Sequence, residues 1–260
     1  MSMVGSDDRS RATVRVGIVG DFDCGKHSHW ATEAALFHAA ARLGIAVEPH
    51  WIPTPSLSHG AQRLEEFDGI WGAPGSPFGS MEGMLRGIEF ARVRDVAYLG
   101  TCAGFQYALI EFTRNVLGVL DADSAENKPD GENIVITPVE CLLPGPSPGV
   151  PRLAGSGVAR PVPGTLVERL CGPADLQGEY FCSFETNGRF VKRWEAAGLR
   201  VAARERDGEM RAFELPQNRF FIATLFQPQL SSSYERPHPI IEGYLRACST
   251  RSTGPSAAAQ

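Results

Sequence analysis

The sequence of 260 residues has no cluster of basic residues, no apolar run long enough to cross a bilayer and no C-x-x-C pair. The first absence, with a formal net charge of -5, argues against nucleic acid or an anionic membrane surface as a partner. The second argues against a membrane-spanning helix. The third weakens both a structural zinc site and a dithiol redox motif.

The six cysteines are spread along the chain instead of being grouped. A chain of this length buries a core without covalent cross-links, so we expect free thiols and a reducing, cytoplasmic location. Residues 1–12 carry no apolar segment of the kind found in secretory signals, which agrees with that expectation. The cysteines are Cys24, Cys102, Cys141, Cys171, Cys182 and Cys248.

Residues 13–248 are predicted to form one domain, because no linker or repeat interrupts them between polar tails at 1–12 and 249–260. In the first half, short β-branched strands alternate with helical segments, which predicts a flavodoxin-like, doubly wound, mostly parallel sheet. The predicted strands are 14–20, 45–52, 69–73 and 96–101, and the predicted helices are 30–43, 82–91 and 103–116.

In the second half, strand-like segments follow one another through turns. This pattern predicts additional antiparallel strands and a closing helix at 238–247. The predicted strands are 134–141, 157–162, 180–184, 199–205, 210–215 and 221–226.

The segment around Cys102 contains a buried strand, then Gly-x-Cys-x-Gly, then a helix. This is the thiol form of a nucleophile elbow, in which Gly100 and Gly104 permit a turn that side chains would block. The strained turn places the thiol at a helix N-terminus, which favours the thiolate. We predict that the N–H of Ala103 and the turn Gly75–Ser76 stabilise an oxyanion there. A small buried cysteine packed between glycines is the alternative interpretation.

Short motifs are spread along nearly the whole chain: FDGI at 67–70, PG at 74–75, EG at 82–83, YLGTCAGFQ at 98–106, IEFTRNV at 110–116, ADSAE at 122–126, EAAGLR at 195–200 and RPHP at 236–239. Together they resemble the glutaminase domain of CTP synthase. That resemblance implies a class I glutamine amidotransferase, in which the cysteine attacks the side-chain amide of glutamine, forms a glutamyl thioester and releases ammonia. The wider pattern is similar to a stand-alone family related to the CTP synthase C-terminus. No segment matches the amidoligase domain, so we expect that this chain alone does not make CTP.

Two segments depart from the pattern where the resemblance implies catalysis. The family's F-H-P-E, which carries the triad histidine and glutamate, is matched by 226–229, with Gln227 and Gln229 at the titratable positions. Amides do not take up a proton near neutral pH, and losing the base of a triad costs on the order of 10⁴–10⁶ in rate. The family's P-G-G-F-G becomes 74–79, in which Pro77 lacks an N–H donor.

A third departure concerns substrate binding. The family's R-H-R-[YF]-E-V-N, which holds the glutamine α-carboxylate through an arginine, is matched by 181–187. Ser183 occupies the arginine position and is followed by Phe184, and a hydroxyl does not replace a bidentate guanidinium. Gln106 and Glu126 retain residue types that contact substrate in the family. We expect these four residues to line the substrate site.

The loop at 21–29, after the first predicted strand, is rich in reactive side chains. It leaves the same sheet edge as the elbow, so His27 or His29 is predicted to act as a relocated base for the thiol. Alternatively, it is an exposed loop whose Ser28 caps the next helix. Its carboxylates, thiol and imidazoles match no zinc spacing, and we expect neither a metal nor a cofactor.

Three functions remain open. The first is a cysteine-dependent amide hydrolase or amidotransferase of altered specificity, acting through a thioester on Cys102. Its substrate would be a small amide or an amino-acid-like molecule, and a separate synthase is a candidate partner. The second is a catalytically inactive pseudoenzyme that binds a small metabolite or a partner protein, as the neutral Gln227 and Gln229 favour. The third is redox use of the thiol.

Overall fold

A computed structural model describes residues 13–139 and 153–250. Its strands are β1 (Thr13–Val19), β2 (Ala46–Ile52), β3 (Gly69–Gly72), β4 (Ala97–Thr101), β5 (Asp123–Ser124), β6 (Ile134–Pro138), β7 (Leu153–Pro161), β8 (Leu176–Cys182), β9 (Phe184–Thr186), β10 (Arg200–Arg204), β11 (Met210–Glu214) and β12 (Phe221–Thr224). Its α-helices are α1 (His27–Leu43), α2 (Met81–Val93), α3 (Ala103–Asn115), α4 (Leu166–Cys171), α5 (Val191–Ala196) and α6 (Pro239–Ser249).

The central sheet has nine strands in the order β2-β1-β3-β4-β12-β11-β10-β7-β8. Neighbours from β2 to β12 pair in parallel, and neighbours from β12 to β8 pair antiparallel. A small second sheet has the order β5-β6-β9. This architecture confirms the predicted flavodoxin-like, mostly parallel sheet with additional antiparallel strands.

The parallel half of the sheet carries helices, which explains its apolar composition. Helix α1 packs with α6, and α2 packs with α3, with α3 and α6 both contacting β3 and β4. Strands covered in this way are buried, as β3, β4 and β12 are at every position. Large aromatic side chains fill the space between the layers, including Trp71, Tyr98, Phe221 and Tyr244.

Helix α1 begins at His27, three residues before the predicted start. Ser28 therefore lies inside the helix, where its carbonyl accepts a hydrogen bond from Thr32 Oγ1 at 2.9 Å. The N-cap residue is Lys26, whose side chain makes no capping hydrogen bond, so the predicted Ser28 cap is wrong. The helix ends at the C-cap residue Gly44, which has a left-handed φ of 68°.

Some predicted boundaries fall at the edges of the described segments. The predicted tails 1–12 and 249–260 and the end of the predicted strand 134–141, with Cys141, lie outside the described residues, except for Ser249, which belongs to α6, and its C-cap Thr250. The six-residue helices α4 and α5 were not predicted, because so few residues show no helical periodicity. No helix within 13–139 or 153–250 is long and apolar enough to cross a membrane.

Candidate active site

Cys102 forms the junction between β4 and α3 and has a φ of 53° and a ψ of -106°. Few non-glycine residues adopt a positive φ, and such strain persists where the surroundings enforce it. The Cys102 N–H donates to the Thr224 carbonyl at 2.9 Å, and its own carbonyl accepts from the N–H groups of Phe105 and Gln106 at 3.1 Å. These bonds tie the elbow to β12 and to the first turn of α3.

The two elbow glycines are required by close backbone packing. A Cβ atom on Gly104 would lie 2.2 Å from the Gly72 carbonyl oxygen, and one on Gly100 would lie 2.8 Å from the Gly104 oxygen. The Gly104 N–H also donates to the Ala73 carbonyl at 3.1 Å. The start of α3 is therefore pressed against the end of β3, which brings the Pro74–Gly75 turn beside the elbow.

Two backbone N–H groups lie beside the Cys102 sulfur, those of Ala103 and Gly75. They lower the pKa of the thiol, whereas the Cys182 side chain and then burial raise it, with a net rise. Gly75 has a φ of 93°, a conformation that favours glycine. Both donors belong to the backbone segments that are predicted to stabilise an oxyanion.

A cavity of about 520 Å³ opens over the thiol. It lies at the carboxyl ends of the parallel strands, where α/β folds usually carry their ligand sites. The structure brings several predicted residues together in its wall: Gly75, Ser76, Cys102, Glu126, Ser183, Phe184, Gln227 and His27.

Gln227 and Gln229 form a buried amide pair at the edge of this cavity. Gln229 Nε2 donates to Gln227 Oε1 at 3.1 Å, and the Gln227 N–H donates to the Glu179 carbonyl at 2.8 Å. The Gln229 Oε1 atom is buried and has no hydrogen-bond partner among the described residues. The pair is held in place beside the thiol's cavity, but neither member exchanges a proton near neutral pH.

His29 has both ring nitrogens engaged by the backbone. Nδ1 accepts from the Asp23 N–H at 2.9 Å, so Nε2 carries the proton and donates to the Pro74 carbonyl at 3.0 Å. Burial lowers its pKa. This geometry makes His29 a support for the Pro74–Gly75 turn. His27 is exposed and lines the cavity, so it is the histidine of this loop that faces the predicted substrate site.

Gln106 lies behind the cavity wall instead of in it. Its Nε2 donates to Cys182 Sγ at 3.0 Å and to the Phe184 carbonyl at 3.2 Å. The side chain thus connects α3 to the β8–β9 edge, and its donors are used within the protein. Glu126 is half-buried and lines the cavity.

Three further cavity residues were not singled out from the sequence. A Cβ atom on Gly75 would lie 3.0 Å from Lys26 Nζ, which places that ammonium group over the oxyanion turn. Tyr180 is 4% exposed, its hydroxyl has no hydrogen-bond partner among the described residues, and burial raises its pKa to about 12. Cys182 shares the wall with Cys102. Lys26 and Cys182 lie in the segments 21–29 and 181–187, which the sequence singles out, but residue spacing does not reveal which side chains face inward.

Two further histidines make contacts that serve packing and helix capping. His238 is buried, its Nδ1 accepts from the Ile240 N–H at 3.2 Å, and burial lowers its pKa to about 4. The His38 ring packs against Tyr234. Among the described residues, no group of three or more His, Cys, Asp or Glu is arranged to hold a metal ion.

Comparison with known proteins identifies similar chains. Residues 23–247 match the family described as glutamine amidotransferase class-I. The chain is 31% identical over 247 residues to the CTP synthase of Saccharolobus solfataricus and 34% identical over 243 residues to that of Pyrococcus furiosus. These matches cover 92% and 90% of this chain but 45% and 44% of the relatives. The chain thus spans about half the length of the CTP synthases that it matches.

Two solved structures show the same fold. The glutaminase domain of Trypanosoma brucei CTPS with bound acivicin matches with a TM-score of 0.81 at 22% identity, covering 91% of this chain and 94% of that chain. A glutamine amidotransferase from Thermotoga maritima matches with a TM-score of 0.53 at 12% identity, covering 92% and 97%. The flavodoxin-like architecture is therefore shared across these proteins.

Proposed function

The chain belongs to the class I glutamine amidotransferase family, and from this premise we propose that Cys102 is the nucleophile of an acyl-transfer reaction on a small, amino-acid-like amide. The observation that carries the proposal is the position of the Cys102 sulfur, beside the N–H groups of Gly75 and Ala103 and at the wall of the cavity. A nucleophile next to two fixed donors is the arrangement that amide cleavage through a thioester requires.

In the proposed reaction, the Cys102 thiolate attacks the amide carbonyl carbon, and the oxygen takes up the negative charge. The N–H groups of Gly75 and Ala103 stabilise that oxyanion. When the carbon–nitrogen bond breaks, nitrogen leaves as ammonia after gaining a proton, and an acyl thioester remains on Cys102. Water then cleaves the thioester in a hydrolase, or an amine takes the acyl group in a transferase.

Proton transfer is the step for which the cavity is poorly equipped. Gln227 and Gln229 hold the positions that the family resemblance assigns to the triad histidine and glutamate, and both are neutral. We propose His27 as the replacement base, since it is exposed to the cavity. The Lys26 ammonium adds positive charge near the oxyanion turn, which favours a thiolate or an oxyanion there.

The altered wall also argues for a substrate other than glutamine. Ser183 stands where the family resemblance implies an arginine for the α-carboxylate. Glu126 lines the cavity and remains available for an ammonium group. We therefore propose that the substrate is an amide with an amino group, and that the site does not require an α-carboxylate on it. A cytoplasmic location and a separate synthase that accepts ammonia remain parts of this proposal.

The buried Gln227–Gln229 pair supports a second candidate function, which is binding of a small metabolite without turnover. In that case the cavity holds a ligand, and Cys102 serves as a small buried side chain in the tightly packed elbow. This function requires no acyl adduct.

The deciding experiment is intact-mass spectrometry of the full chain after incubation with a pool of amino-acid amides, glutamine included. The expected result is an acyl adduct on Cys102 that is absent in Cys102→Ala and present in Cys24→Ser, which removes an exposed thiol. Stabilisation of the protein by a pool member, without an adduct in wild type, would contradict the acyl-transfer proposal and favour binding alone.

A further inference from the structure

A second thiol stands beside the proposed nucleophile. Cys182, at the end of β8, lines the same cavity as Cys102, and both side chains are buried, at 7% and 6% exposure. Cys102 Sγ lies 3.9 Å from the carbonyl oxygen of Phe181, the residue that precedes Cys182. The two thiol side chains are hydrogen-bonding neighbours, and this contact raises the pKa of Cys102 and lowers the pKa of Cys182.

The Cys182 sulfur has polar neighbours that suit both of its protonation states. Gln106 Nε2 donates to it at 3.0 Å, and the Phe184 N–H approaches it at 3.5 Å. The Phe184 carbonyl lies 3.0 Å away and accepts the thiol proton. The interaction with Cys102 lowers the pKa of Cys182. Donors of this kind stabilise a thiolate, which is the attacking form in disulfide chemistry.

Gln106 connects the Cys102 backbone to the Cys182 sulfur. Its backbone N–H donates to the Cys102 carbonyl at 3.1 Å, while its side chain donates to Cys182 Sγ. This connection holds the β8 edge against the first turn of α3. The two hydrogen bonds of Gln106 therefore hold the two cysteines close together.

The other cysteines of the described segments lack such surroundings. Burial raises the pKa of Cys171 to about 12 and raises that of Cys248, and Cys24 is exposed on the loop before α1. None of these three lines the cavity. Within residues 13–139 and 153–250, only Cys102 and Cys182 combine mutual contact with access to a cavity.

We propose that Cys102 and Cys182 form a redox pair, in which a peroxide oxidises Cys102 and Cys182 resolves the product as a reversible disulfide. The Cys102 thiolate attacks one peroxide oxygen and the O–O bond breaks, which gives a sulfenic acid and a hydroxide (or alkoxide) that leaves as water (or an alcohol) after gaining a proton. The Cys182 thiolate then attacks the sulfenic sulfur, so that the S–S bond forms, the S–O bond breaks, and hydroxide leaves as water after gaining a proton. A small dithiol returns both sulfurs to thiols by disulfide exchange.

In this proposal Cys182 protects Cys102 from further oxidation, a role that acyl transfer does not require. A sulfenic acid without a neighbouring thiol proceeds to sulfinic acid, which is irreversible for most proteins. Resolution by Cys182 preserves Cys102. The further consequence, that oxidation reversibly blocks acyl transfer, rests on the proposed function, whereas formation of the disulfide does not.

The test is peptide mapping by mass spectrometry after the full wild-type chain is treated with hydrogen peroxide and its remaining thiols are alkylated. The expected product is a Cys102–Cys182 cross-linked peptide that has lost two hydrogen atoms and is restored by dithiothreitol. Cys24→Ser should give the same cross-link. Mapping also distinguishes this bond from one to Cys141, which lies outside the described residues.

The complementary variant is Cys182→Ser, with its fold checked by circular dichroism. Dimedone, which traps sulfenic acid, should label Cys102 several-fold more in this variant than in wild type, because no neighbouring thiol consumes the sulfenic acid. Equal labelling in the two proteins, a cross-link from Cys102 to another cysteine, or oxidation confined to Cys24 would overturn the proposal. Each readout follows thiols and not turnover, so failure of the acyl-transfer proposal leaves it intact.

Discussion

The parallel and antiparallel halves of the sheet contribute to the cavity in different ways. The parallel half supplies backbone geometry, namely the Cys102 elbow, its N–H donors and the turn at Gly75, all held by close packing such as that of Gly104 on Gly72. The antiparallel half, with the segment after β12, supplies side chains to the opposite wall. There Ser183 and Gln227 stand where the family resemblance implies charged or titratable groups.

This difference separates two kinds of requirement. Elbow geometry depends on the same contacts that stabilise the fold, so changing it also destabilises the protein. Proton transfer depends on side-chain tips, and a neutral pair such as Gln227 and Gln229 satisfies much of its own hydrogen bonding. A chain can therefore retain the nucleophile's geometry while the groups that serve the nucleophile change.

The largest effect is expected where the parallel half is most tightly packed. Gly104→Ala places a Cβ atom 2.2 Å from the Gly72 oxygen and should lower the free energy of unfolding by about 3 kcal/mol or more. Urea denaturation measures this change. Gly188→Ala, at a glycine with no atom within 4 Å of the added Cβ, is the matched control and should stay within about 0.5 kcal/mol of wild type. Equal stability of the two variants would show that the elbow tolerates movement.

Helix α6, which covers the parallel half, begins after a histidine, His238, that burial keeps neutral. Its pKa is lowered from 6.5 to about 4, so between these values the unfolded chain binds more protons than the folded one. Stability should therefore fall as the pH drops through this window, by up to about 3 kcal/mol from this group.

His238→Asn retains a side-chain cap for α6 and should flatten this part of the stability–pH profile. Denaturant titrations at several pH values measure the slope. The exposed His59→Asn is the control and should leave the profile unchanged. A slope that persists in His238→Asn would assign the pH dependence to other groups.

Restoring titratable groups on the altered wall tests whether proton transfer is what the site lacks. The double variant Gln227→His and Gln229→Glu places an imidazole and a carboxylate on side chains that already contact each other at 3.1 Å. Turnover of the amide that acylates Cys102 should rise by about 100-fold, as expected for a positioned general base. Ammonia release measures it, with the same changes in Cys102→Ala as the control. An unchanged rate would place the limiting step elsewhere.

The smallest effect concerns the relocated base. His27→Ala should slow alkylation of Cys102 by iodoacetamide near neutral pH by about tenfold, because less of the thiol would be deprotonated. The exposed His59→Ala, on another loop, should have no effect. Alkylation at the wild-type rate in His27→Ala would refute His27 as the base.

Local sterics made part of this site predictable. The spacing of Gly100, Cys102 and Gly104 indicated a sharp strand-to-helix turn, and the packing distances explain why glycine is needed at both flanking positions. The alternation of strands and helices likewise indicated the parallel sheet, because period and length can be read along the chain.

Long-range hydrogen bonding made the rest unpredictable. The two loop histidines look alike in sequence, yet His29 is engaged by Asp23 and Pro74 while His27 faces the cavity. Gln106 was expected to contact substrate, but it contacts Cys182 and Phe184 instead. Each outcome depends on partners that are distant in the chain or on which face of a turn points inward.

The sequence by itself determined the elbow, its glycines and the family, since these depend on residue types at short fixed spacings. Only the tertiary structure decided which side chains share the cavity: it placed Lys26 over the Gly75 turn and Cys182 beside Cys102. The physical reason is distance along the chain. Cys102 and Cys182 are 80 positions apart in the sequence (182 minus 102), and they meet only because the β8 edge packs against the first turn of α3.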